Sequence, residues 1–453
     1  MGDMSSMDRE IKKRQLRRNI VPLPREEALS RYDEEDSEEI VRRAQAQHRK
    51  KRLFISLFVT LFLTATGFCW YRYQKEYEYT EYNVAWEQSM RYTDEPPAAD
   101  GGETDGADAA EGQSLTSRNI SEGSFVKYEF FGENMIRYTK DGASYIDASG
   151  KTIWTQSYQM KTPIININGD YAVIADQQGN NMYICNPEGC TGVAKTQLPI
   201  TKAAVSAKGV TAAVVEDSTA SYIFYFKKNG EELGINIKML LSGDGYPVDI
   251  ALSPDGKQIV MSVMYLKNGA LKNKVAFYDF SEIGKNVNNR FIGAFEEEFD
   301  DKLAARVCYI NAETVAAFTD KGITFISVKN VIPDTNVISV PVEEEIKSIC
   351  YSDKYAGVVV ENTTGASDRL DVYSTDGKKV SSVEFDYNYT GVKIDGSRLI
   401  LYNEDSCRVY NMDGNKKFEG QFDFPISCVR GGKKHVNSLI IAGSEKMEEI
   451  KLR

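Results

Sequence analysis

The chain has 453 residues, 66 acidic against 55 basic, and a formal net charge of −11. The first 52 residues hold 14 basic and 11 acidic side chains, so the 41 basic and 55 acidic residues beyond them make that part acidic. Such a surface repels nucleic acid rather than steering it, which excludes a nucleic-acid partner.

Residues 1–52 read as a charged cytoplasmic tail, largely disordered, because residues 1–36 lack an apolar face large enough for a core. Within them, Ile20-Val21-Pro22-Leu23-Pro24 is a short apolar island, either a docking motif or a kink in a solvated tail. The spacing predicts a helix over 37–52, with Ser37 as N-cap, Glu38 and Glu39 in the first turn and basic residues last.

Residues 53–71 (LFISLFVTLFLTATGFCWY) carry no charge. As a helix, this run rises roughly 28 Å, close to the hydrocarbon thickness of a bilayer. Arg49, Lys50, Lys51 and Arg52 precede it, and Trp70, Tyr71 and Tyr73 stand at its exit. These flanks predict a single-pass plasma-membrane anchor, with the N-terminus cytoplasmic and the C-terminal domain extracytoplasmic. A cleaved signal peptide fits poorly: the leader is long, and Gly67-Phe68-Cys69-Trp70 lacks the small residues of a cleavage site.

Residues 72–124 read as a juxtamembrane strand followed by a flexible acidic linker. Thr80, Tyr82, Val84 and Trp86 alternate with Glu81, Asn83, Ala85 and Glu87, the period of a half-buried strand. Residues 94–113 are rich in Gly, Ala, Asp and Glu.

From residue 125 the pattern repeats. Apolar openings recur at 126–132, 163–169, 202–209, 249–256, 306–311, 347–353, 391–396 and 426–432. Gly hairpins recur too: Asp147-Ala148-Ser149-Gly150, Asn186-Pro187-Glu188-Gly189, Lys227-Lys228-Asn229-Gly230, Ser374-Thr375-Asp376-Gly377 and Asn411-Met412-Asp413-Gly414. Eight imperfect units of about 41 residues, filled with short strands, predict an all-β fold: a β-propeller over 125–453. The insert at 265–274 blurs the period and leaves seven blades as the alternative. The last unit ends after its third strand, so an N-terminal strand is expected to complete it. Residues 79–87 are the preferred candidate and 114–121 the second.

The unit Asp141–Trp154, DGASYIDASGKTIW, resembles the repeat of quinoprotein-like (PQQ-type) propellers. That resemblance implies a structural, blade-docking role for Asp147, Gly150 and Trp154. The longer run through Gln156-Ser157-Tyr158, Pro163 and 170–176 is similar to an uncharacterised family of bacterial membrane-anchored propellers, a domain of unknown function with this order of tail, anchor and ring. The Trp occurs only in the first repeat, and no adjacent Cys-Cys pair is present. The resemblance therefore implies the scaffold without a cofactor.

The seven cysteines are too few for a dense disulfide framework. Cys69 lies in the anchor, and Cys308, Cys350 and Cys428 fall in apolar runs that read as core. Cys185 and Cys190 flank a hairpin turn and face each other across two strands, either as a disulfide or as packed thiols. His48 and His435 are the chain's two histidines, His48 in the tail and His435 beside two lysines in a loop. That leaves a histidine triad or multi-histidine metal site without its residues beyond the anchor. The acidic runs at 296–301 and 343–345 lack the sharp turn of a calcium loop and read as solvated inter-blade loops. No catalytic, metal or cofactor residue is assigned.

The expected function is therefore a non-catalytic scaffold that binds a protein or cell-wall glycan in the cell envelope. Two alternatives stand beside it: a ligand sensor signalling through the tail, and a polysaccharide-active enzyme using carboxylates drawn from distant blades.

Overall fold

The computed structural model describes residues 34–89, 125–147, 151–330, 332–361, 367–432 and 437–453, with side chains in the helix from Arg49 onward. The described residues divide into two units between Gln74 and Lys75.

In the first unit one helix, α1 (Glu34–Glu76), carries the apolar run. It starts three residues before the expected N-cap and continues without a break into 53–71, so Ser37 lies inside it rather than capping it. With no Pro or Gly between Ser37 and Thr66, nothing in the sequence stops a helix from propagating across the boundary. The stretch Arg49–Glu76 is the one helix among the described residues long and apolar enough to cross a membrane. Its large apolar side chains are exposed, Phe54 by 75 % and Leu57 by 68 %.

In the second unit the described residues form eight four-stranded antiparallel sheets. Blades 1 to 7 are consecutive: 126–157, 163–195, 200–240, 246–295, 304–341, 346–385 and 391–421. The first strand of each lies innermost, and the expected repeat openings coincide with these inner strands. Blade 8 combines 426–452 with β1 (Tyr82–Ser89), which pairs with the last strand from Tyr82↔Leu452 to Ser89↔Lys446. The N-terminal strand thus completes the C-terminal blade, as the alternation at 79–87 predicts. Residues 114–121 lie outside the described residues.

The recurring hairpins have one physical basis. In each, an Asn or Asp side chain folds back onto the backbone of its own turn. Asn186 Oδ1 accepts from the N–H of Glu188 and Gly189 at 2.9 and 3.0 Å. Asn411 Oδ1 accepts likewise from Asp413 and Asn415, and Asn229 Oδ1 from Glu231.

Strands buried on both faces need cover from both neighbours, and the core divides accordingly into eight apolar clusters, one between each adjacent pair of blades. The seam between blades 3 and 4 is built from thirteen buried residues, among them Ile223, Tyr225, Ile259 and Met261. The seam between blades 8 and 1, where the ring closes, has six, including Tyr128, Met135, Cys428 and Met447. Polar latches on the inner strands reinforce the seams. Asn166 Oδ1 accepts from Val205 N–H at 2.9 Å, and Asp249 Oδ2 from Val307 N–H at 2.9 Å. Asp395 accepts from Gly431 N–H, and Arg430 Nη1 donates to the Gly132 carbonyl at 3.0 Å across the closing seam.

Candidate interaction surface

Blade 4 departs from the ring's regularity. Its two middle strands, Gln258–Lys267 and Ala270–Asp279, are ten residues each and pair through Lys267↔Ala270. The inner strand beside them pairs only as far as Met264, and the outer strand only to Val275. Within 265–274, the insert that blurred the period, the exposed stretch 266–271 therefore projects past the sheet as a two-stranded finger with open edges, while Tyr265 and Asn273 are buried at its base. Its tip is Asn268-Gly269, with φ of 54° and 77°. Positive φ at both central residues is the type I′ turn that matches strand twist, and Asn-Gly adopts it at least cost.

The finger is firmly rooted. Asn273 is buried, donates to Ser262 Oγ at 3.0 Å and to the Val263 carbonyl at 3.1 Å, and accepts from Ala304 N–H of blade 5 at 3.0 Å. The acidic run at 296–301 grips its lysines. Lys272 meets Asp300 at 2.8 Å, while Lys267 and Lys274 lie 3.5 and 3.9 Å from Glu296. Tyr265 donates to Glu296 at 3.3 Å and carries Lys274 4.7 Å from its ring centroid. That loop does lie between blades 4 and 5, as expected, and it also braces the finger.

At the tip Leu266 and Leu271 are direct cross-strand partners, exposed by 71 % and 62 %. Burying a leucine is worth roughly 1.5–3 kcal/mol, so a facing exposed pair on a rigid support holds free energy that only a covering partner can release. Chemically, the finger offers an apolar anchor flanked by strand edges whose N–H and C=O groups are free to pair with another chain.

A second polar region lies on the inner strands. Asp249, 2 % exposed, stands between Lys202 of blade 3 at 3.6 Å and Arg306 of blade 5 at 3.7 Å. Desolvation pulls the Arg306 guanidinium down more than any single neighbour lifts it, but Asp249 and Tyr351 together, with a smaller push from Cys308, raise it overall. On the opposite arc, Lys393 and Arg430 stand 5.2 and 4.3 Å from the Phe130 ring centroid. Desolvation by the surrounding protein raises the Glu129 carboxyl above the usual range, although the residue keeps solvent access, with Lys393 and Lys127 opposing. Asp249 was missed as a site because its DIALSPDG context reads as an ordinary repeat opening. The register shift between Pro247 and Asp249 turns it toward its neighbours, and only pairing reveals that shift.

Of the residues assigned from sequence, Trp154 stacks on Tyr145 with centroids 5.7 Å apart and donates from Nε1 to the Pro187 carbonyl of blade 2 at 3.2 Å. Asp147 accepts from Lys151 N–H at 3.0 Å and so clasps its own turn. Gly150 and His435 lie outside the described residues, as does the His48 side chain. Cys185 and Cys190 are register partners across the hairpin, and both are free thiols. Cys308, Cys350 and Cys428 are buried, as their apolar runs predict.

Among solved structures the ring is similar to the Dos1 propeller, at 10 % identity, TM-score 0.47, covering 73 % of this chain and 97 % of that one. It is also similar to a eukaryotic initiation factor, at 14 % identity, TM-score 0.40, covering 68 % and 90 %. A third similar structure is the Kuenenia stuttgartiensis hydrazine synthase, at 12 % identity, TM-score 0.38, covering 74 % and 96 %. No curated protein matches the chain. The model of a family of unknown function, DUF5711, matches residues 109–452, and the chain belongs to that family.

Proposed function

We propose that this chain is a single-pass, membrane-anchored scaffold of the cell envelope, whose extracytoplasmic propeller binds another envelope protein through the blade 4 finger. The observation that carries this reading is the exposed Leu266–Leu271 pair on a hairpin rooted by buried Asn273. Binding residues set on a rigid support are how loops on scaffolds acquire function. A protein partner fits better than a glycan. The leucines need an apolar pocket and the open edges need a strand, and a polypeptide supplies both.

The basic residues 49–52 support the orientation. The short spacing supports the anchoring role: five residues separate the end of α1 from β1, a covalent tether of roughly 17 Å at full extension. The quinoprotein-like look of the first repeat belongs with a blade-docking role, carried by Trp154 on Pro187.

Burying both leucines yields roughly 3–6 kcal/mol, less than association costs by itself, so the flanking edges must share the contact. The test is in-cell crosslinking of the full-length protein followed by mass spectrometry, comparing the native chain with a Leu266→Asp/Leu271→Asp variant. The account expects one or a few envelope proteins captured by the native chain and lost from the variant at equal protein levels. Capture that is identical in the two would overturn the assignment of the finger.

A further inference from the structure

The hairpin at 181–195 carries chemistry that the scaffold reading does not use. Its strands, Asn181–Asn186 and Gly189–Lys195, are joined by Pro187-Glu188 and put Cys185 directly opposite Cys190. Antiparallel partners stand about 4.5–5.5 Å apart at Cα, inside the range that a disulfide spans. The two thiols differ in access: Cys185 is fully buried and Cys190 is partly exposed. The turn lies at a three-blade junction. Trp154 of blade 1 donates to Pro187, and Thr191 Oγ1 donates to the Lys228 carbonyl of blade 3 at 2.8 Å.

We propose that Cys190 and Cys185 form a thiol–disulfide exchange site, with Cys190 as the reacting thiol and Cys185 as the one that resolves it. The Cys190 thiolate attacks one sulfur of an incoming disulfide, either a small-molecule disulfide or the disulfide of a thiol oxidoreductase, and expels one thiolate. Cys185 then gives up its proton and attacks the Cys190 sulfur of the mixed disulfide, expelling the second. Two protein thiols are oxidised to a disulfide and the donor disulfide is reduced to two thiols. The environment suits this division. The paired Cys185 thiol lowers the Cys190 thiol to about 7, with Cys190 Sγ also 3.4 Å from the Gly192 carbonyl, and the same pairing, together with burial, holds the Cys185 thiol well above the ordinary range. The product would staple the turn on which Trp154 docks, fixing the junction of blades 1, 2 and 3. This site does not depend on what the finger binds.

The test uses the full-length protein in membranes, equilibrated with glutathione at graded ratios of oxidised to reduced form, trapped with N-ethylmaleimide and analysed by peptide mass spectrometry. The expected result is a Cys185–Cys190 linked peptide at oxidising ratios, lost at reducing ones, while buried Cys308, Cys350, Cys407 and Cys428 stay unlinked. Cys185→Ser should accumulate a glutathione adduct on Cys190, and Cys190→Ser should leave Cys185 modified at least tenfold more slowly. In the native chain, both thiols alkylated at every ratio would overturn the proposal. So would single variants that react at equal rates.

Discussion

Blades 4 and 8 use the chain in opposite ways. Blade 8 is short of a strand and borrows β1, and among the described residues its seam with blade 1 has the smallest core, six buried residues against thirteen between blades 3 and 4. Blade 4 has chain to spare and projects the exposed stretch 266–271 past the sheet, rooted by buried Asn273, which bonds to blade 5. Stability is therefore most exposed at blade 8, while the proposed partner binding lies at blade 4. Changes in the two blades should separate cleanly into folding defects and binding defects.

The largest effect is expected on removing 82–89. The last strand, Lys446–Leu452, would lose its outer partner, Trp86 would no longer donate to Glu449 at 2.7 Å, and the ring would lack its closure. Cooperative unfolding, followed by circular dichroism, should be lost or broadened rather than shifted.

Next come single core truncations. Met135→Ala at the closing seam and Met261→Ala at the large one should each cost about 2–5 kcal/mol. They should differ in kind, however. The first should speed hydrogen exchange selectively in 126–139 and 426–443, and the second only on global unfolding. Asp249→Ala should cost about 1–3 kcal/mol, because Val307 N–H loses its acceptor and two cations lose their shared carboxylate.

A smaller change sits at the finger. Gly269→Ala forces a side chain into φ of 77° and should cost about 1 kcal/mol of local stability. Smallest of all, Leu266→Asp/Leu271→Asp should move stability by less than about 0.5 kcal/mol while abolishing partner capture.

The ring was legible because its signals are local. Period-2 runs ending in Asn-Gly, Asp-Gly or Glu-Gly turns repeat along the chain, and the strand missing from the last unit has a matching alternation at Thr80, Tyr82, Val84 and Trp86. The finger was visible only as a disturbance of the period at 265–274. Whether extra residues extend a hairpin or bulge out as a loop depends on where the neighbouring strands stop pairing, which is a tertiary fact. Asp249 was hidden for the same reason. Its bonds go to Val307, Lys202 and Arg306 in other blades, and no local pattern marks those partners. The start of α1 was misplaced because a favourable N-cap at Ser37 competes with a charged, helix-compatible stretch just before it.

The most direct test places a photo-crosslinking amino acid at position 271 of the full-length protein in cells, with a second copy of the experiment at Val193, 54 % exposed in blade 2. The account predicts that position 271 captures one reproducible envelope protein and that position 193 does not. Equal capture at both positions, or none from position 271 in cells where the protein is folded and anchored, would contradict it.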